Sequence, residues 1–239
     1  MVLKRQVDNL FTGNMASEQP TLANFHLFEG DFAVVGVNEF RKEWRQIAKG
    51  NMRHNTFLEG MLLKSVEARP LFPYIDYAVL DCPDQPVDLN NYFPNYEIVG
   101  GQRRVIEPVK TSNGIRADPY CQVDCVGRHG IADLPKRPMN TSTTYFFSAF
   151  QTEGNLSTLE RTWRSWSGAD YLLWKCPDEL KLNRITLYKK VHQDTKFTFL
   201  VLCECSEGLS HIHKAKDFLE RLKERRCGYV SLYRVDRFY

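Results

Sequence analysis

The stretch YCQVDCVGRHG, residues 120–130, places Cys121, Cys125 and His129 at steps of four. On a helix that spacing would line three metal-ligating side chains along one face. Pro119, the β-branched Val123 and Val126, and Gly127 and Gly130 all disfavour a helix here. The segment therefore reads as a loop, and the spacing loses its geometric meaning. Structural zinc also asks for four ligands in close pairs, and no second pair lies near by in the chain. The expectation is no metal and no cofactor, with Cys121, Cys125 and His129 as the residues that would have to hold a metal if one bound.

Nucleophilic chemistry is the other use of such residues. A catalytic thiol needs a base within hydrogen-bond reach and surroundings that lower its pKa; Cys125 or Cys176, with His129, are the pairs on offer. CPDQP (82–86) and EPVK (107–110) offer the parts of a nuclease centre, two carboxylates and a lysine. It fails because Glu107 and Lys110 stand three apart across a proline, where a shared strand face needs two. His211 and His213 look like a ligand pair, but two-residue spacing on a helix sends them to different sides.

Two further clusters bear on binding. Arg221, Lys223, Arg225 and Arg226 crowd the end of a predicted helix, where cations also suit the helix dipole. They are the candidate polyanion contact, set against the simpler reading of a solvated face. In LERTWRSWSG, Trp163 and Trp166 continue the stripe of Leu156 and Leu159, so they read as core rather than as stacking platforms.

The elements that must position these groups follow from composition and pattern. The chain has 239 residues, 43% of them hydrophobic, enough for a sizeable core, and its 32 basic against 29 acidic residues demand no polyanion partner. Seven scattered cysteines, an odd number, read as reduced thiols of the cytosol or nucleus. No signal-like leader opens the sequence and no run approaches the ~18 apolar residues that span a bilayer, so a soluble protein without a membrane partner is expected.

Up to residue 69, a strand is expected at FAVVGV (32–37), then a helix capped by Asn38 and stopped by Gly50, then a second helix from Thr56 to Glu67. Nine of the eleven prolines fall between 70 and 138, which leaves room only for short strands, at 74–82 and 103–111. From 139 the pattern is a strand (STTYFFSAF), a helix opened by a capping box at Ser157–Glu160, strands at 171–175, 185–191 and 196–205, a helix over 209–226 and a last strand, YVSLYRV. The final strand–helix–strand is a crossover, so part of the sheet is expected to be parallel. No internal repeat is visible. An all-strand barrel of the lipocalin kind is set aside, because Phe32 stands where that family's tryptophan would and helices interrupt the strands.

The fold expected is α+β: a mixed, mostly antiparallel sheet with packed helices and a proline-rich irregular middle, with residues 1–24 as an arm and 25–239 as a single domain. Aromatics in that middle, above all Tyr92, Phe93 and Tyr96, point to a non-catalytic binding or structural component of a larger assembly, with a protein as partner. The alternatives are a Cys/His hydrolase built on Cys125, His129 or Cys176, and a nucleic-acid-binding protein using Arg221, Lys223, Arg225 and Arg226.

Overall fold

The computed structural model describes residues 21–29, 37–53, 56–81, 96–99, 102–105, 116–127, 137–138, 140–152, 154–191 and 197–239. The segment LANFHLF, strand β1 (Leu22–Phe28), shows how the architecture arises. Successive side chains alternate between faces: Ala23, Phe25 and Leu27 enter one apolar cluster, Phe28 enters another, and all seven residues are buried. A strand buried on both faces needs cover on both. One cover is the sheet itself, curled into a barrel, and the other is a layer of helices outside it.

The other barrel strands are β2 (Phe57–Ser65), β3 (Tyr74–Leu80), β6 (Arg116–Gly127), β7 (Thr144–Phe150), β8 (Leu182–Lys190), β9 (Phe199–Cys205) and β10 (Tyr229–Phe238). They close in the order β1-β3-β2-β10-β7-β9-β8-β6, and every seam is antiparallel. A separate hairpin joins β4 (Tyr96–Val99) to β5 (Gln102–Val105). Within the barrel, β6-β1-β3-β2 and β10-β7-β9-β8 each have the strand order fourth, first, third, second, which is that of a ferredoxin-like unit. The two units meet along the β2–β10 and β6–β8 seams. The chain is thus a tandem repeat, although the sequence displayed none.

Helix α1 (Val37–Met52) covers the first unit, setting Phe40, Trp44 and Ala48 on Phe28 and Leu62. The second unit is covered by α2 (Leu156–Arg161), α3 (Trp163–Trp166), α4 (Ala169–Lys175) and α5 (Ile212–Glu224). On α5 the buried stripe is Ala215, Phe218, Leu219 and Leu222, with Phe218 edge-on to Phe146 at 5.6 Å and parallel to Tyr171 at 5.8 Å. Among the described residues the first unit has a single covering helix.

Several expectations are corrected. The sheet is a closed antiparallel barrel, not an open mixed sheet of an α+β fold. The β9–α5–β10 crossover gives no parallel pair, because β7 lies between its strands and runs opposite to both. The helix expected over Thr56–Glu67 is strand β2, where Met61 and Leu63 enter the barrel and Leu62 faces α1. The strand expected at 171–175 is helix α4, since a short apolar run such as YLLWK fits either period. Residues 120–127, expected as loop, extend β6, which accommodates Pro119: its carbonyl accepts from Val191 N–H at 3.0 Å and the ring needs no donor. Asn155, not Ser157, caps α2 by accepting from Thr158 N–H at 3.2 Å. Strand β1 begins at Leu22, inside the expected arm of 1–24. Of the strand expected at 32–37, residues 32–36 lie outside the described residues, as does most of 82–115, while Val37 opens helix α1.

Among the described residues no helix is long and apolar enough to cross a membrane. Trp163 is buried and its indole N–H donates to Asp124 Oδ2 at 2.7 Å, so Trp163→Ala is expected to lower the free energy of unfolding by about 3–5 kcal/mol in urea denaturation.

Candidate functional site

Closure of the barrel leaves polar side chains in two dry places, the helix–sheet layer of the first unit and the barrel lumen. In the first, Asp76 of β3 has no exposed surface. Trp44 Nε1 donates to its Oδ1 at 2.8 Å, while Tyr239 Oη and Asn51 Nδ2 donate to Oδ2 at 2.8 and 3.2 Å. His26 Nδ1 stands 3.5 Å from the same Oδ2. His26 and Asp76 lie directly opposite each other across the β1–β3 ladder, which is why two ionisable side chains meet under α1. At that distance Nδ1 has no hydrogen-bond partner, and bonds of this kind commonly tighten only when substrate binds.

Trp44, Asn51 and Tyr239 are neutral donors, so His26 and Asp76 are the acid–base pair of the cluster. Burial, then the neighbouring Asp76 carboxylate, push the Tyr239 phenol above its ordinary range, so Tyr239 remains a donor. The fold does not require such a cluster. In the second unit the matching ladder position holds Ser148 opposite Val201, and the helix–sheet layer there is an apolar core.

The lumen holds a second network. Arg184 donates from Nε and Nη2 to Glu204 Oε2 at 3.0 and 2.8 Å, and Asn183 Nδ2 donates to Oε1 at 2.8 Å. Burial opposes the Arg184 charge, but Glu204 outweighs it and holds the guanidinium above its ordinary range. The Tyr77 and Tyr188 hydroxyls share a 2.8 Å hydrogen bond. Tyr145 Oη has no hydrogen-bond partner and borders a cavity of about 10 Å³, room for one water. Burial raises all three phenols, Tyr77 to about 12 and Tyr145 and Tyr188 well above the usual value. With space for no more than a water, this network acts as a polar core that fixes one packing of the lumen.

The residues singled out from sequence are placed differently. Cys121 and Cys125 are half-buried on a strand, and Cys125 Sγ lies 3.4 Å from Thr186 Oγ1, a lumen residue. His129 lies outside the described residues. Cys176 is buried after α4 with its sulfur 4.0 Å from Cys205 Sγ, and no three His, Cys, Asp or Glu side chains gather as metal ligands among the described residues. Tyr92 and Phe93 are outside the described residues, and Tyr96 opens β4. Lys223 pairs with Glu67 and, at 3.0 Å, with Glu220. Arg221 and Arg225 lie over the Phe218 and Tyr171 rings at 5.6 and 5.0 Å. Arg226 ends α5 in a left-handed conformation with φ 52°. His26 and Asp76, which the sequence reading passed over, did carry a signal: each is a lone ionisable residue inside an apolar strand, NFHLF and YIDYAVL.

A family model described as a domain of unknown function, DUF7153, matches residues 57–235. "Uncharacterized protein C01C4.2" of Caenorhabditis elegans is 26% identical over 120 residues, 48% of this chain and 26% of that protein, so the chain spans about a quarter of the relative's length. Among solved structures, an anthrone oxidase-like protein superposes with a TM-score of 0.57 at 11% identity, over 94% of this chain and 95% of the other. The expectation of a non-catalytic binding or structural component is overturned. The chain shares the fold of the anthrone oxidase-like protein, and among the described residues buried ionisable groups occur beneath α1 and in the lumen.

Arg184→Met leaves Glu204 buried without its partner, and a loss of about 3–5 kcal/mol is expected in urea denaturation. The raised phenols set a limit at high pH. Below about pH 10 both folded and unfolded states keep these protons, so the stabilisation is fully present. As pH climbs toward 12, the folded-state value for Tyr77, the unfolded chain releases protons that the native state retains. Stability is expected to fall across that window, with the buried tyrosines ionising, by ultraviolet absorbance, only as the protein unfolds.

Proposed function

We propose that this chain, which belongs to the DUF7153 family of domains of unknown function, is an enzyme that removes a proton from a planar aromatic substrate, with His26 as base and Asp76 as the group that orients it. The observation that carries this reading is the buried cross-strand pair His26–Asp76, set where the second unit keeps Ser148 and Val201. Trp44, Asn51 and Tyr239 hold the Asp76 carboxylate from three sides, so it is fixed before substrate arrives. When His26 accepts a proton on Nε2, the imidazolium is stabilised at Nδ1 by that carboxylate. Phe28, Phe40, Trp44 and Tyr74 pack as an aromatic cluster in the same layer, and aromatic surroundings of this kind suit a flat, largely apolar molecule.

The shared fold supports an anthrone as the first substrate to try. There His26 would take a proton from the ring methylene and leave a carbanion delocalised onto the carbonyl oxygen. Dioxygen then oxidises that carbon: the methylene becomes a carbonyl, one oxygen atom enters the product and the other leaves as water. The odd number of scattered cysteines supports a reducing compartment, cytosol or nucleus.

The test is turnover of anthrone under air, followed by the quinone chromophore and oxygen consumption. His26→Asn is expected to lower the rate by about 100-fold or more with melting unchanged. A rate unaffected by His26→Asn would overturn the assignment.

A further inference from the structure

Tyr239 does more in the helix–sheet layer than donate to Asp76. Its backbone pairs with Gly60, whose N–H donates to Tyr239 O at 3.0 Å and whose carbonyl accepts from Tyr239 N–H at 2.9 Å. The ring lies across the glycine, where an added Cβ would run into it. It stacks on Phe57 at 5.7 Å and 10°, and meets Trp44 edge-on at 5.9 Å and 74°. The hydroxyl donates to Asp76 Oδ2 and accepts from Asn51 Nδ2, both at 2.8 Å. The ring therefore has a floor without a side chain, a parallel face, an edge contact, one hydrogen-bond acceptor and one donor.

Barrel closure does not call for this arrangement. The β6–β8 seam is the counterpart of the β10–β2 seam, and its matching pair is Val126 opposite Ile185, two ordinary β-branched residues. The glycine and the aromatic ring occur only at the seam that borders His26 and Asp76, and the hydroxyl and His26 Nδ1 approach the same carboxylate oxygen.

We infer that the seat of the Tyr239 ring is a recognition site for a phenolic ring of the substrate, with Tyr239 as its resident occupant. The inference deepens the acid–base reading and rests on it for the location of the reacting atoms. Tyr239 is only partly buried, and its pairing with Gly60 uses backbone groups alone, so the side chain can leave while the strand stays paired. A phenol entering the vacated seat meets the same two partners and lies beside the imidazole. An isostere without the hydroxyl leaves Asp76 Oδ2 one donor short and Asn51 Nδ2 one acceptor short, so the site discriminates by chemistry as well as by shape.

The test is calorimetric titration with 4-methylphenol, the tyrosine side chain as a free molecule, and with toluene as the isostere lacking the hydroxyl. Tyr239→Ala is expected to bind one equivalent of 4-methylphenol about 10-fold more tightly than the parent does, and about 10-fold more tightly than it binds toluene. Equal affinity for the two ligands, or no binding by a Tyr239→Ala protein that circular dichroism shows to be folded, overturns the inference. Should that variant fail to fold, Tyr239→Phe keeps the ring and drops both hydrogen bonds. It is expected to yield the seat to 4-methylphenol more readily than the parent, and unchanged affinity overturns the inference. Binding is read without turnover, so the two proposals fail separately. Phenol-selective binding without His26-dependent turnover sinks the base assignment alone, and His26-dependent turnover without phenol binding sinks this site alone.

Discussion

Closure of an antiparallel sheet on itself is the constraint from which the rest follows. With no free edge, each barrel strand has both neighbours paired and one face in the lumen, and helices cover part of the outer face. A polar side chain at one of the buried positions of such a strand is dry and is costly to leave without partners within the protein. That is why Asp76 gathers Trp44, Asn51 and Tyr239, and why Arg184 and Glu204 occur as a pair with Asn183 completing the carboxylate's bonds. The buried carboxylates of Asp76 and Glu204 both lie in such networks.

The two units show which of these networks the fold needs. They share strand order, ladder register and a helical layer, yet they fill equivalent places with different chemistry: His26 and Asp76 against Ser148 and Val201, Gly60 and Tyr239 against Ile185 and Val126. A barrel of this topology closes with uncharged residues at these places, as its second half demonstrates. The polar choice in the first half is an addition to the architecture, and it is concentrated around one carboxylate. Function is therefore sought in what distinguishes the units rather than in what they share.

How much of this was legible in the sequence depended on whether the signal was local. The alternation that ends in STTYFFSAF, the hairpin of β8 and β9 and the amphipathic α5 were readable because each is set by neighbours along the chain. TFLEGMLLKSVE misled because Phe57, Met61 and Ser65 fit a helical stripe as well as a strand, and only the partners β3 and β10 decide between them. The repeat was hidden because matched positions share a face but not a residue type, Asp76 with Val201 being the sharpest case. Closure itself depends on pairings such as Tyr233 with Ser65, far apart in sequence. Cys121, Cys125 and His129 drew attention by their spacing, although the first two sit on a strand where a step of four has no special meaning for ligation. His26 and Asp76 share no motif. They become a pair only through the β1–β3 register.

On the proposed role, neutral His26 carries its proton on Nδ1, facing Asp76, and its Nε2 is free to accept one. Nitrogen-15 NMR of the imidazole, assigned with His26→Asn, reads this directly, because the protonated and unprotonated ring nitrogens of the neutral side chain resonate far apart. The neutral ring is expected to carry its proton on Nδ1, facing Asp76 Oδ2, and Asp76→Asn is expected to abolish this preference. A neutral ring protonated on Nε2, indifferent to Asp76→Asn, would contradict it.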